Sequence, residues 1–338
     1  MSSPLSVIVP TFNGARFVQR TLDSLARQTL PLEEIIVVDD GSTDNTVELV
    51  RDHPSNATVL RQPNQGVAVA RNRGVLHAHT EYVALVDQDD LWHSARHERL
   101  LAVLSEHPDC GVLTTSARSF YVSGDAPRLA ALGDELHKSA NFPNVEDEAD
   151  LMDDPSLLAE CSTVVSELTT RALLAESLSV TITHVFHRDA LLTSGGFPTI
   201  GRSMDDYLAV VLMSRTHRIL RCEQPTHFYR LHPSATSQSS NWPLPLLAMQ
   251  IAARYGDNLI SLGDARDRRA VAPLTDAPQF LLHQLLQMID GGRLRDAADA
   301  AAVLQLLSCD RQDRLYVGTR LTKRWLRAVS RRMRRQLD

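Results

Sequence analysis

The chain has 338 residues, of which 43% are hydrophobic and 22% charged, and its formal net charge is −6. That balance excludes a disordered chain and argues against a general nucleic-acid binder. The four cysteines, Cys110, Cys161, Cys222 and Cys309, are far apart and form no CxxC pair, so neither a zinc knuckle nor a disulfide framework is expected.

The predicted compartment is reducing and cytoplasmic. No basic segment followed by an apolar stretch opens the chain, so no signal peptide is expected. No run approaches the roughly 18 apolar residues of a membrane span. The apolar stretch 208–213 is six residues long, and the stretch 244–253 contains Pro245 and Gln250.

Residues 5 to about 115 alternate between strand and helix periods. Strands are predicted at 5–9, 34–38, 58–61, 82–86 and 111–115. Helices are predicted at 17–28, 43–51 with Ser42 as N-cap, 67–78 and 94–107. This order predicts an α/β fold with a mostly parallel sheet, whose ligands bind beyond the carboxyl ends of the strands. Pro10, Asp39, Asp40 and Asp87 lie at such ends.

Residues 116–180 lose the rhythm. Six acids (Glu146, Asp147, Glu148, Asp150, Asp153, Asp154) read there as a solvated loop. Order returns with a strand ending at Phe186, a turn at Gly195-Gly196, a helix over 205–215, and strands near Ile219 and Phe228. From Leu244 onward the pattern is helical. The domain division is therefore 1–240, with halves 1–115 and 116–240, followed by a helical region over 241–338.

Three phosphate and nucleophile signatures are absent: G-x-G-x-x-G, G-x-x-x-x-G-K-[ST] and G-x-S-x-G. A phosphorylated ligand would then need another counter-charge. Asp87-Gln88-Asp89-Asp90 follows an apolar strand, and clustered carboxylates repel unless a cation compensates. If the chain stays extended, Asp87 and Asp89 share a side and suit Mg²⁺ or Mn²⁺, which take a few carboxylates plus phosphate and water. A turn rich in helix-capping acids explains the same residues. His93 and His97 stand at i, i+4, a zinc-compatible spacing for which no third ligand is evident.

The four segments Val7-Ile-Val-Pro-Thr-Phe-Asn13, Val37-Val-Asp-Asp-Gly-Ser-Thr-Asp44, Asn64-Gln-Gly-Val-Ala-Val-Ala-Arg-Asn-Arg-Gly74 and Asp87-Gln-Asp-Asp-Leu-Trp92 resemble, in order and spacing, the family 2 glycosyltransferases of GT-A fold. The likeness continues through Gly195-Gly-Phe197, Asp205-Asp206 and Tyr229-Arg-Leu-His232, and covers roughly residues 4–240. It implies a Rossmann-like nucleotide-diphospho-sugar transferase domain that moves one sugar to a hydroxyl of a saccharide or lipid-linked acceptor.

The resemblance implies roles. Pro10, Thr11 and Phe12 line the base pocket. Asp40 accepts the imide N–H of the base, with Asp39 beside it toward the sugar, and Arg71 lies near the nucleotide. Asp87 contacts the ribose and flanks a Mn²⁺ or Mg²⁺ ion held by Asp89, with His232 as a further ligand or a donor to the leaving phosphate. Asp90 supports. Asp206 is the general base, with Asp205 its neighbour. The usual Glu-Asp is here Asp-Asp, and an acid usual two residues later is Leu208. Gly195, Gly196 and Phe197 shape the acceptor pocket. The donor is expected to be a UDP-sugar, with dTDP as second choice.

A retaining transferase and a non-catalytic binding module are the alternatives. A HAD-type phosphatase would want Thr or Val where Leu91 stands. A processive synthase would carry Q-x-x-R-W, and Leu321 occupies the Gln position before Arg324-Trp325. Residues 320–338 hold eight bases and one acid, a local charge of +7. That tail predicts a peripheral contact with the inner face of an anionic membrane.

Overall fold

A computed structural model describes residues 5–125, 144–169, 173, 183–199 and 205–234. All belong to the first of two compact units, residues 1–238. The predicted C-terminal helices and the basic tail lie outside the described residues.

In chain order the first half runs β1 (Leu5–Thr11), α1 (Val18–Ala26), β2 (Glu34–Asp39), α2 (Thr46–Arg51), β3 (Thr58–Arg61), α3 (Val67–His77), β4 (Tyr82–Leu85), β5 (Leu91–Trp92), α4 (Arg96–Glu106) and β6 (Cys110–Thr115). The second half adds β7 (Arg118–Val122), β8 (Asn144–Val145), α5 (Ala149–Met152), β9 (Val165–Glu167), β10 (Val185–His187), α6 (Arg188–Thr193), α7 (Asp205–Met213), β11 (Arg218–Cys222) and β12 (His227–Arg230).

The main sheet has eight strands in the order β3-β2-β1-β4-β10-β6-β11-β9. β1 is buried along its whole length and lies parallel to both β2 and β4, because a continuous apolar run suits a strand covered on both faces. Its register sets Thr11 opposite Asp39 and Ile8 opposite Leu85, so the carboxyl ends of β1, β2 and β4 form one rim. β10 enters antiparallel between β4 and β6. The mostly parallel sheet expected from the sequence is therefore present, with β10 and the edge strand β9 running against it.

Helix α3 approaches β1 closely. A Cβ on Gly74 would stand 2.5 Å from the Ile8 Cγ2 methyl, so only glycine allows this contact. The consequence is that Arg71, one turn earlier, reaches the rim. The core beneath includes Val7, Val9, Leu22, Val37, Trp92, Leu113 and Leu220.

Two expectations are corrected. Helix α2 begins at Thr46, not Thr43, and Ser42 does not cap it. The Ser42 hydroxyl instead accepts the Asn13 amide, tying the ends of β1 and β2 together. Residues 116–169 are also not a plain loop. They hold β7, β8, α5 and β9, and a second sheet runs β5-β12-β7-β8. These elements are two to five residues long, too short for a readable period; β9 pairs with the distant β11, β7 with β12, and β8 with β7.

Within the acidic stretch, Asp154 accepts the Ser156 amide and Glu148 holds Arg230, so those charges are structural rather than simply solvated. Among the described residues no helix is long and apolar enough to cross a membrane.

Candidate active site

The rim is organised first by Gln88. Its Oε1 accepts the Thr11 hydroxyl at 2.8 Å and the Phe12 amide at 2.9 Å, locking the turn after β1 to the turn after β4. A Cβ on Gly14 would fall 2.2 Å from that oxygen. Pro10 and Thr11 are buried, whereas the Phe12 ring is 44% exposed at the rim. Asp39 accepts the Ser42 amide and the Arg61 Nε, both at 3.1 Å. Asp40 accepts three donors at 2.8 Å: Gln62 Nε2 and the amides of Gln65 and Gly66. A carboxylate offers about four acceptor positions, so one remains on Asp40.

Arg71 is the hub of the site. Its Nη1 donates to both oxygens of Asp205 at 2.9 and 3.0 Å, and its Nη2 donates to Asp87 at 2.8 Å. Asp206 Oδ2 lies 3.6 Å from the same Nη1. One buried guanidinium thus joins the acid after β4 to the acid pair that opens α7. Burial works against the charge on Arg71, but the carboxylates of Asp205, Asp87 and Asp206 outweigh it and hold its pKa well above the ordinary value. Burial also raises the pKa of Asp87 and of Asp205. Asp89 and Asp205 add to the rise at Asp87, Asp206 adds to it at Asp205, and Arg71 opposes both. Asp206 accepts its neighbour's amide, Tyr207 N, at 2.8 Å, as an acid at a helix start can.

The chain does not stay extended through Asp87–Asp90. The Asp90 amide donates to the Asp87 carbonyl, making a turn. Asp89 nevertheless remains near enough for its charge to act on Asp87. Asp89 Oδ2 accepts from His232 Nε2 at 2.8 Å, and the His232 ring lies 4.5 Å from the Phe17 ring, centroid to centroid. Asp90 faces inward and accepts from His227 Nε2 at 3.1 Å and from the Arg230 amide at 3.0 Å. Burial first, then the charges of Asp89 and Asp87, push its pKa well up.

Gly195 and Gly196 have φ of 98° and 72°, which other residues seldom adopt. Phe197 is 1% exposed. Its ring is buried edge-on against Phe186, and its backbone N–H and C=O both bond the Asn72 side chain. Its contribution is to fix the turn against α3. His93 and His97 do not converge on a metal: their Nδ1 atoms bond the Ala95 amide and the Leu30 carbonyl. Among the described residues no group of three or more His, Cys, Asp or Glu side chains forms a preformed metal cage.

The sequence reading missed Gln88, Gln62, Asn72 and the Arg230–Glu148 pair. The signal for Gln88 was its place between two acids at a strand end. The others act only through partners more than 20 residues away.

Residues 6–151 match the family model described as "Glycosyl transferase family 2". The chain is 40% identical over 108 residues to the uncharacterized glycosyltransferase YibD of Escherichia coli, covering 31% of each chain. It is 35% identical over 106 residues to the putative teichuronic acid biosynthesis glycosyltransferase TuaG of Bacillus subtilis, covering 30% of this chain and 42% of that one. These matches span about a third of the curated relatives' length. Two solved structures are similar in fold. S. aureus TarS 1–349 with UDP-GlcNAc has a TM-score of 0.53 at 19% identity, over 96% of this chain and 89% of that one. The mannosyltransferase PcManGT from Pyrobaculum calidifontis with GDP-Man and Mn²⁺ has 0.52 at 20%, over 98% and 88%. The strand-end acids, the Gln88 clasp and Arg71 all fall inside residues 6–151, the segment that matches glycosyl transferase family 2.

Proposed function

We propose that the protein is an inverting, metal-dependent glycosyltransferase that moves one sugar from a UDP-sugar to a hydroxyl group of a glycan or lipid-linked acceptor. The observation that carries this reading is the Arg71 hub, which joins the donor-side acid Asp87 to the acid pair Asp205–Asp206. A single displacement needs a base that reaches the acceptor hydroxyl on the face opposite the leaving diphosphate, and this cluster joins a donor-side acid to a separate acid pair that can supply it.

The base is read by the remaining acceptor position of Asp40 and by the exposed Phe12 ring, and the ribose hydroxyls by Asp87. Asp206, which Arg71 faces at 3.6 Å and holds less closely than Asp205, is the general base. It takes the acceptor's hydroxyl proton as that oxygen bonds to the anomeric carbon. The bond from the anomeric carbon to the diphosphate oxygen breaks on the opposite face, and the nucleotide leaves with the electron pair.

The residues present fit a hard cation. The Asp87 carboxylate is destabilised by Asp89, no glycine-rich phosphate loop is present, and Asp89 and His232 lie side by side. Asp89 and His232 would hold the ion, with phosphate and water completing its shell. Bound there, Mn²⁺ or Mg²⁺ would offset the charge that builds on the leaving diphosphate. TarS binds UDP-GlcNAc and PcManGT binds GDP-Man with Mn²⁺, which supports this class of donor. The basic tail supports a peripheral location on an anionic membrane.

The test is acceptor-free hydrolysis of a panel of UDP-, dTDP- and GDP-sugars with and without Mn²⁺, followed by NMR of the product anomer in the presence of an acceptor. Metal-dependent hydrolysis of one donor and an inverted product are expected. Equal rates with and without chelator, or a retained configuration, would overturn the corresponding half of the reading.

A further inference from the structure

The most unusual polar group in the sheet is His184, which immediately precedes β10 and is 1% exposed. Its Nδ1 is buried and has no hydrogen-bond partner. The other buried histidines among the described residues do not share this. Nδ1 is engaged in His53 by the Ser55 amide, in His93 by the Ala95 amide, in His97 by the Leu30 carbonyl, in His227 by the Trp92 indole and in His232 by the Ser234 hydroxyl. An orphan polar atom in a buried site costs free energy, and such an atom calls for a reason.

The place of His184 supplies one. In β10, Val185 pairs with Ala84 of β4, and the strands run antiparallel. His184 therefore lies one step closer to the Asp87 end of β4. Its ring stands edge-on to Phe186, 5.9 Å between centroids, and Phe186 meets Phe197 in turn. Phe197 is tethered to Asn72, the neighbour of Arg71 on α3. His184 thus sits on the α3 face of the sheet, at the end where Arg71 gathers Asp87, Asp205 and Asp206.

Its backbone is held firmly. The carbonyl of Thr183 accepts from the buried Arg96 Nη2 at 3.3 Å, and the Thr183 hydroxyl donates to the Thr115 carbonyl at 2.8 Å. Burial, and then the charge of Arg71, drive the His184 pKa down to about 3, so the ring is neutral at physiological pH and has one donor and one acceptor nitrogen.

We propose that His184, through Nδ1, hydrogen-bonds a sugar hydroxyl bound at the Arg71 hub, making it a positioning and selectivity residue for the sugar. This rests on the glycosyltransferase reading above. A group that is dry, neutral and pinned is poor at moving protons at pH 7 but well suited to discriminating hydroxyl positions. A site that leaves its polar atom unpaired penalises a sugar lacking that hydroxyl.

Two substitutions test it. His184→Phe keeps the ring volume and removes the polar atom, and His184→Asn keeps an amide near the Nδ1 position. Acceptor-free hydrolysis and full transfer are measured for each, with calorimetric binding of UDP alone and of the intact UDP-sugar. His184→Phe should lose about tenfold or more in kcat/KM, the worth of one hydrogen bond, while UDP binding stays within about twofold of wild type. His184→Asn should recover most of that loss. A deficit in hydrolysis and in binding of the intact donor assigns the hydroxyl to the donor sugar. A deficit in acceptor KM alone assigns it to the acceptor. Wild-type rates in His184→Phe, or equal losses in both variants, overturn the proposal while leaving the glycosyltransferase reading intact. A wild-type protein that binds no sugar nucleotide overturns both.

Discussion

Replacing Arg71 by methionine tests the hub directly. The substitution keeps a long side chain but removes the charge that faces Asp205 at 2.9 and 3.0 Å, Asp87 at 2.8 Å and Asp206 at 3.6 Å. Breaking a buried ion pair from one side typically costs about 3–5 kcal/mol. The protein can limit that cost by taking up a proton. Protonating one carboxylate of ordinary pKa at pH 7 costs about 1.36 kcal/mol for each of roughly three pH units, or about 4 kcal/mol.

The two routes agree on a loss near 4 kcal/mol at pH 7, and the second makes it pH-dependent. In the variant the folded-state carboxylate pKa lies above its unfolded value, so folding takes up a proton and becomes more favourable as pH falls. The deficit relative to wild type should shrink by about 1.4 kcal/mol per pH unit, to about 1.4 kcal/mol at pH 5. Urea unfolding followed by circular dichroism at pH 7, 6 and 5 measures it. Adding Asp205→Asn should restore part of the loss, because that carboxylate then needs no counter-charge. A deficit below about 1 kcal/mol, or one that does not change with pH, refutes the view that Arg71 neutralises a dry carboxylate cluster.

Asp206→Asn should lower kcat by the ~10²-fold or more typical of a lost general base with donor affinity unchanged, whereas Asp205→Asn should chiefly disturb the Arg71 hub; the reverse pattern in steady-state kinetics places the base at Asp205. Asp89→Asn and His232→Ala should each abolish the gain in UDP affinity that Mn²⁺ confers in calorimetry, with little change in chelator, and equal Mn²⁺ dependence in wild type and both variants would exclude them as ligands. His184 and His227 are buried with depressed pKa values, so the unfolded chain binds more protons below about pH 6.5 and stability should fall on acidification, by up to about 1.4 kcal/mol per pH unit for each; His227→Gln should flatten that slope in acid unfolding. Full-length protein should sediment with anionic vesicles and be released by salt, while a chain ending at Gly318 should not sediment, and identical behaviour of the two would remove the tail from any membrane contact.

The sequence by itself determined the first half of the fold. Apolar runs of four to seven residues ending in Pro10, Asp39 and Asp87, separated by helical spacing, leave little choice but parallel strands with their polar ends on one rim. It also identified the acids of that rim, because carboxylates at strand ends after apolar runs stand out locally. Tertiary structure decided how those acids are connected. That Arg71 would join Asp87 to an acid pair 134 residues away depends on Gly74 admitting α3 against Ile8, a contact no local pattern encodes. The elements of 116–169 were illegible for a related reason: each is too short to carry a period, and β9 and β7 are held by the returning strands β11 and β12. His184 shows the limit most plainly. In sequence it is one histidine of 13, and only burial without a partner, beside a charged hub, distinguishes it, since the cost of an unmade hydrogen bond arises from the surroundings that the fold assembles.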